Sequence, residues 1–272
     1  MNIRSLTSPT LPPGRIYRSG ALTQVPAPML SQLLTTYNIR TIYDLRRAAE
    51  RETAPSPIIN GVETVWIPST TDGTVYWPDR CGVQRKKEVP RGVPTAAFAD
   101  GDGVEAWKAT YRNILDTHGH IFKTVLEKIR DGGDGAVLFH CTAGRDRTGV
   151  LAALVLALCH TPRAVIAQEY ILTRIGIEPF RNYLFEQFFG MSVENAAGAG
   201  MEKGLAGPGV LEMCETRETS ILGFLDWMDE KWGDVGNQGH TCPGVHGWFI
   251  KEMGFEDSDR DKIEARLGVK RA

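Results

Sequence analysis

Ala136-Val137-Leu138-Phe139-His140-Cys141-Thr142-Ala143-Gly144-Arg145-Asp146-Arg147-Thr148-Gly149 is the stretch that decides how this chain is read. Ala136 to His140 follows the turn Asp131-Gly132-Gly133-Asp134-Gly135 and is short and apolar, as a strand buried on both faces is. From Gly149 to Cys159 the chain is apolar throughout, so Arg147 to Cys159 predicts a buried helix. The order strand, loop, helix puts Cys141 at a strand end facing a helix N-terminus. Unpaired backbone N–H groups and the helix dipole there favour a thiolate over a thiol. Gly144 permits the backbone angles by which the loop amides curl into an anion-binding nest. Arg147 returns to that nest with a planar fork suited to two phosphate oxygens. One loop, with Thr142, Ala143, Gly144, Arg145 and Asp146 between cysteine and arginine, thus offers nucleophile, cradle and clamp. His140 reads as a strand-end histidine bonded to backbone that also tunes the thiolate. The Thr148 hydroxyl is placed to bond the sulfur.

Transfer of a phosphoryl group needs positioning, charge stabilisation and a proton donor. Two aspartates compete for that role: Asp146 within the loop, and Asp79 in Trp77-Pro78-Asp79. Asp100 and Asp102 read as turn residues and Asp116 as helical. Asp44 and Arg46 stand at the C-terminal edge of a strand, where α/β sites form, and read as a supporting ion pair.

Outward from the loop, Ile39 to Leu45 alternates apolar and polar residues as a half-buried strand does, and Val62 to Ile67 is a second strand stopped by Pro68. Met29 to Tyr37 suits a short helix. Val104 to Arg130 predicts a long helix broken near His118-Gly119. Thr161 reads as an N-cap with Pro162 in the first helical position of a helix reaching about Ile175. Further helices are expected over Glu215 to Trp232, Val245 to Met253 and Ser258 to Leu267, the last stopped by Gly268. Residues 69–103 read as a long functional or mobile loop containing the solvated basic cluster Arg85-Lys86-Lys87, and residues 192–209 as a glycine-rich surface loop. Strands lie in the first half and helices dominate the second. The pattern predicts an α/β fold with a central, mostly parallel sheet flanked by helices and a helical C-terminal part. Residues 1–14, with Pro9, Pro12, Pro13 and Gly14, read as an irregular arm before a single domain over residues 15–272.

The 272 residues are 42% hydrophobic, enough for a sizeable core. A net charge of −2 excludes a chain that binds nucleic acid by overall electrostatics, so any anion site is local. Cys81, Cys141, Cys159, Cys214 and Cys242 are scattered and contain no CxxC pair, so neither a disulfide framework nor a structural zinc site is expected. Cys159 reads as core, and His240, Cys242 and His246 as loop and helix residues rather than metal ligands. The first thirty residues hold no apolar leader, no N-x-S/T acceptor occurs, and no apolar run is long enough for a bilayer. These features predict a cytoplasmic protein without an integral membrane segment.

His140-Cys141, five residues, then Arg147-Thr148-Gly149 resembles the signature of the cysteine-dependent protein tyrosine phosphatase superfamily. With Ala143-Gly144, a basic residue at 145 and Asp146, it is similar to the IphP-type tyrosine/serine phosphatase family. Arg18-Ser19-Gly20, Ile39-Arg40-Thr41, Asp44-Leu45-Arg46 and Glu50 match upstream blocks in the family's order. Glu169-Tyr170-Ile171-Leu172-Thr173 resembles its helix after the loop, and residues 218–254 its terminal helices. The resemblance covers most of residues 15–268. It implies a tyrosine-phosphatase-like fold, attack by Cys141 through a phosphocysteine intermediate, Arg147 as the clamp and Asp146 as the acid, with no metal or cofactor. It also implies action on phosphotyrosine, sometimes phosphoserine or phosphothreonine, and often phosphoinositides, with transient membrane-surface contact for a lipid substrate. A basic residue beside the clamp goes with the lipid activity; the family norm is lysine, and here it is Arg145. Two other classes stand beside this one. A catalytically weak pseudophosphatase, binding phosphate as an interaction module, conflicts with the intact set of Cys141, Arg147, Thr148 and Asp146. A sulfur transferase or arsenate reductase conflicts with the Arg-Thr-Gly tail and the lack of a resolving cysteine near Cys141.

Overall fold

The computed structural model describes residues 2–72, 92–187, 208–210, 212–234 and 240–270, and the backbone alone of 76–78, 84–86, 188–189 and 211. In chain order the strands are β1 (Arg4–Ser5), β2 (Ile16–Ser19), β3 (Ile39–Asp44), β4 (Glu63–Trp66), β5 (Tyr76–Pro78), β6 (Gln84–Lys86) and β7 (Ala136–His140). The helices are α1 (Ala27–Thr36), α2 (Ala48–Thr53), α3 (Val104–Asp131), α4 (Asp146–Leu158), α5 (Arg163–Ile177), α6 (Arg181–Phe189), α7 (Val210–Cys214), α8 (Glu218–Trp232), α9 (Pro243–Lys251) and α10 (Asp257–Leu267). Five strands form one sheet in the order β1-β2-β7-β3-β4, parallel except for the antiparallel β1.

The most apolar strand, β7, takes the centre, where both faces are covered. Its alternation divides the core in two. Ala136 and Leu138 pack with Leu30 and Leu34 of α1 and with Ile39 and Ile42 of β3. Val137 and Phe139 point the other way, into the larger cluster built by α3, α4, α5 and the C-terminal helices. Nearly every residue of α4 after its first turn is buried, which is why its sequence lacks a polar stripe. The expected fold class is what the chain adopts. Among the described residues, no helix is long and apolar enough to cross a membrane.

Several local expectations are corrected. Helix α3 runs unbroken through His118-Gly119-His120. A mid-helix glycine costs about 1 kcal/mol relative to alanine, and the burial of residues 117 to 122 outweighs it. Thr161 does not cap α5; Pro162 occupies the N-cap position. The Thr161 hydroxyl instead meets Ser8 Oγ at 2.8 Å and Thr10 Oγ1 at 3.3 Å, tying the N-terminal arm to the body. That arm is not wholly irregular, because Arg4 and Ser5 pair with Arg18 and Tyr17. The segment 69–103 carries the antiparallel pair β5–β6 and a 3₁₀ turn at Thr95–Ala99. Asp79, Cys81 and the side chains of Arg85-Lys86-Lys87 lie outside the described residues.

Candidate active site

Strand register gathers three segments at the C-terminal edge of the sheet. Ser19 of β2 and Asp44 of β3 lie on either side of His140. Pairing continues past the strand ends: Leu45 N–H donates to His140 O at 2.8 Å, and Ala21 N–H to Thr142 O at 2.9 Å. The loop after β7 is therefore held between the chains leaving β2 and β3, and it delivers into α4 at Asp146, one residue earlier than the sequence predicts. Gly144 has φ +72°, and a Cβ there would stand 2.6 Å from backbone atoms of Ser19 and Gly20, so strain and space both demand glycine.

Beneath the loop lies an ion network that motif reading did not resolve. Arg18 is fully buried, and its Nη2 donates to Gly144 O at 2.7 Å while Nη1 pairs with Glu169. Arg4 donates to Glu169 Oε1 at 2.7 Å. Burial and the neighbouring Arg18 lower Arg4 to about 10, which leaves it cationic at neutral pH.

Cys141 opens the loop and is only 2% exposed. Arg147, at its far end, is gripped by a carboxylate from α2: Glu50 accepts Nη1 at 2.6 Å and Nη2 at 2.7 Å, and Leu45 O accepts Nη1 at 3.2 Å. Glu50 also accepts the Thr142 hydroxyl. These bonds orient the fork through its two terminal nitrogens, not through Nε. Burial disfavours the Glu50 carboxylate, but the Arg147 hydrogen bonds and charge, with Thr142, hold it well below the usual carboxylate range. Helix α2 is in turn anchored by Asp72, whose Oδ1 accepts Ala48 N–H at 3.0 Å.

Asp146 begins α4, and its Oδ1 accepts from Arg145 Nε at 3.0 Å and from the Tyr111 hydroxyl at 3.2 Å. Arg145 lies over the Trp107 ring, 4.8 Å from its centroid, and its Nη1 meets Cys214 O at 3.2 Å. Ala143 packs on Leu184 of α6. His140 Nδ1 stands 3.2 Å from Cys141 O, the expected backbone bond, and its ring is buried and pushed toward the neutral form by desolvation. Asp44 and Arg46 form the expected buried pair, at 2.8 Å. Burial opposes the Asp44 charge; His140 and the Arg46 fork outweigh it, leaving Asp44 at about 2. The Thr148 hydroxyl is buried without a hydrogen-bond partner among the described residues, so the expected bond to the Cys141 sulfur is not made in this structure. Cys159 is core, with its thiol pushed up by burial. His240 and His246 stack 4.1 Å apart, and no metal-binding group of three ligands exists among the described residues.

A family model described as "Tyrosine phosphatase family" matches residues 2–269. The chain belongs to the tyrosine phosphatase family. The phosphatase is 52% identical to a tyrosine-protein phosphatase of Nostoc commune over 57 residues, which span 21% of its own chain and only 19% of that relative. It is 33% identical to a Cupriavidus necator protein named as a candidate tyrosine-protein phosphatase, over 82% of its own chain and 72% of the other. A solved structure, the core catalytic domain of the PP-IP phosphatase SIW14 from S. cerevisiae in complex with citrate, aligns over 76% of this chain and 95% of that one. Its identity is 17% and its TM-score 0.33, a likeness too low to build on.

In the phosphatase, Cys141 and Arg147 stand at the two ends of the loop, with His140 paired in register with Asp44 and Asp44 bonded to Arg46. Asp79, the rival acid, lies outside the described residues. Sequence reading missed Glu50, Arg18 and Glu169, although each stood inside a quoted block. Tyr111 and Trp107, four residues apart on α3, carried no motif.

Proposed function

We propose that this phosphatase hydrolyses phosphate monoesters through a phosphocysteine intermediate, with phosphotyrosine as its first substrate class. The Cys141 thiolate attacks phosphorus, the bond from phosphorus to the leaving oxygen breaks, and that oxygen takes a proton from Asp146. Water then attacks the phosphocysteine, gives a proton to the Asp146 carboxylate, and releases inorganic phosphate and the thiolate. Arg147 and the loop amides hold the phosphoryl oxygens throughout. The balance closes with water alone, so a chelator is expected to leave the rate unchanged.

The observation that carries this reading is the bidentate Glu50–Arg147 pair at the far end of the Cys141 loop, an arginine fork oriented before any substrate arrives. A phosphotyrosine preference draws support from Arg145. Its guanidinium lies on Trp107 and is bonded to Asp146 and the Cys214 carbonyl, so little of it is left to meet a second phosphate. Phosphoserine, phosphothreonine and phosphoinositide esters come second. The reading takes residues 15–272 as one phosphatase domain.

The test is hydrolysis of an aryl phosphate with chelator present, comparing wild type with Cys141→Ser, followed by a phosphopeptide and phosphoinositide panel. Turnover in wild type alone supports the thiolate route. Retention of phosphorylated ligand without turnover in either protein would replace it with the binding-module reading.

A further inference from the structure

We infer that Tyr111, backed by Tyr170, is a positioning residue for Asp146 that leaves Oδ2 as the oxygen presenting the proton to the leaving group. The inference rests on the reading of Asp146 as the acid. Two donors converge on Oδ1, Arg145 Nε at 3.0 Å and the Tyr111 hydroxyl at 3.2 Å. A carboxyl oxygen has two lone pairs, so Oδ1 is filled and a transferable proton belongs on Oδ2.

The direction of the chain follows from proton counting. The Tyr111 hydroxyl also bonds the Tyr170 hydroxyl, and both rings are buried. Each phenol has one proton. Tyr111 gives its proton to Asp146, so Tyr170 must donate to Tyr111. The result is a one-way chain from α5 through α3 to the first residue of α4. Burial pushes both phenols up, Tyr170 to about 12, so both stay protonated donors at neutral pH. One face of α3 serves both donors to Oδ1: Trp107 carries Arg145, and one turn later Tyr111 reaches Asp146. Gly149 supplies the room for Tyr170, since a Cβ there would stand 3.1 Å from its ring. The titratable groups acting on or from Asp146 are Arg145 and Arg147 of the loop and α4, Tyr111 of α3, Tyr170 of α5 and Cys214 of α7. Packing alone gives no reason for two buried hydroxyls where phenylalanines would fill the space; a buried hydroxyl is costly unless it is bonded.

The experiment compares wild type, Tyr111→Phe, Tyr170→Phe and Asp146→Asn on a series of aryl phosphates of rising leaving-group pKa, with kcat/KM pH profiles, vanadate inhibition and thermal melting. Tyr111→Phe is expected to lower kcat about tenfold on phenyl phosphate and much less on a strongly activated ester, whose leaving group needs little protonation. KM and vanadate affinity should hold. The alkaline limb should move to higher pH, because the carboxylate has lost a donor. Tyr170→Phe should do the same more weakly. An equal loss on every ester, or none, overturns the role of Tyr111 while leaving Asp146 as acid if Asp146→Asn still discriminates among esters. If Asp146→Asn itself shows no such discrimination, the acid reading falls and takes the inference with it. Should Tyr111→Phe fail to fold, Tyr170→Phe decides: a loss confined to poor leaving groups supports the chain, and a uniform loss or none overturns it.

Discussion

At Glu50 a single carboxylate governs the clamp. It meets both terminal nitrogens of Arg147 and the Thr142 hydroxyl, bridging the two ends of the loop. Glu50→Gln preserves the shape but loses a charge-assisted pair of about 1.5–3 kcal/mol. We predict that kcat/KM for an aryl phosphate falls about tenfold, consistent with the lower part of that range. A variant with wild-type kcat/KM would show that the Leu45 carbonyl suffices to aim Arg147. Glu50 was visible in the sequence as one letter of a block. Its role was not, because the arginine it binds is 97 residues away and nothing in the local pattern of a six-residue helix points to it.

At the scale of elements, β2 and α5 form the floor on which the loop rests. Arg18 crosses from β2 to the Gly144 carbonyl and to Glu169 of α5, with no exposed surface. Breaking such a buried pair costs about 3–5 kcal/mol, since the partner left behind stays buried. Arg18→Met is therefore predicted to lower unfolding stability by about that amount in urea titration. A loss below about 1 kcal/mol would mean that Arg4 alone neutralises Glu169 and that the Gly144 carbonyl finds another donor. The element-scale errors share one cause. Local rules place a break at Gly119 and a cap at Thr161, and tertiary burial of α3 and the Ser8 and Thr10 hydroxyls override them.

Across the whole molecule, buried groups make the fold sensitive to acid. His118 is buried on α3, and desolvation first, then the Arg147 charge, lowers it to about 3. The unfolded chain takes up this proton near the ordinary histidine value of about 6.5 and the folded one does not. Stability is therefore full above about pH 6.5 and drains as pH falls toward 3, by up to about 4–5 kcal/mol. Asp44, at about 2, adds a further loss at the acid end of that range: its contribution is present above the ordinary aspartate value and fades as pH falls toward 2. We predict that His118→Gln flattens the stability curve between about pH 6.5 and 3. Parallel curves for variant and wild type would remove His118 as the cause.

What the sequence determined by itself was built from neighbours in the chain. The strand, the glycine-bearing turn, the cysteine, the arginine and the apolar helix are consecutive, so their spacing alone carries the α/β class, the loop and the family. Tertiary structure alone decided what holds that loop in shape. Glu50 reaches Arg147 across 97 residues, Arg18 reaches Gly144 across 126, and Tyr111 reaches Asp146 across 35. Hydrogen bonds and buried ion pairs act over about 3 Å of space whatever the distance along the chain. Which charges and hydroxyls meet is therefore settled only when the sheet register and helix packing bring them together.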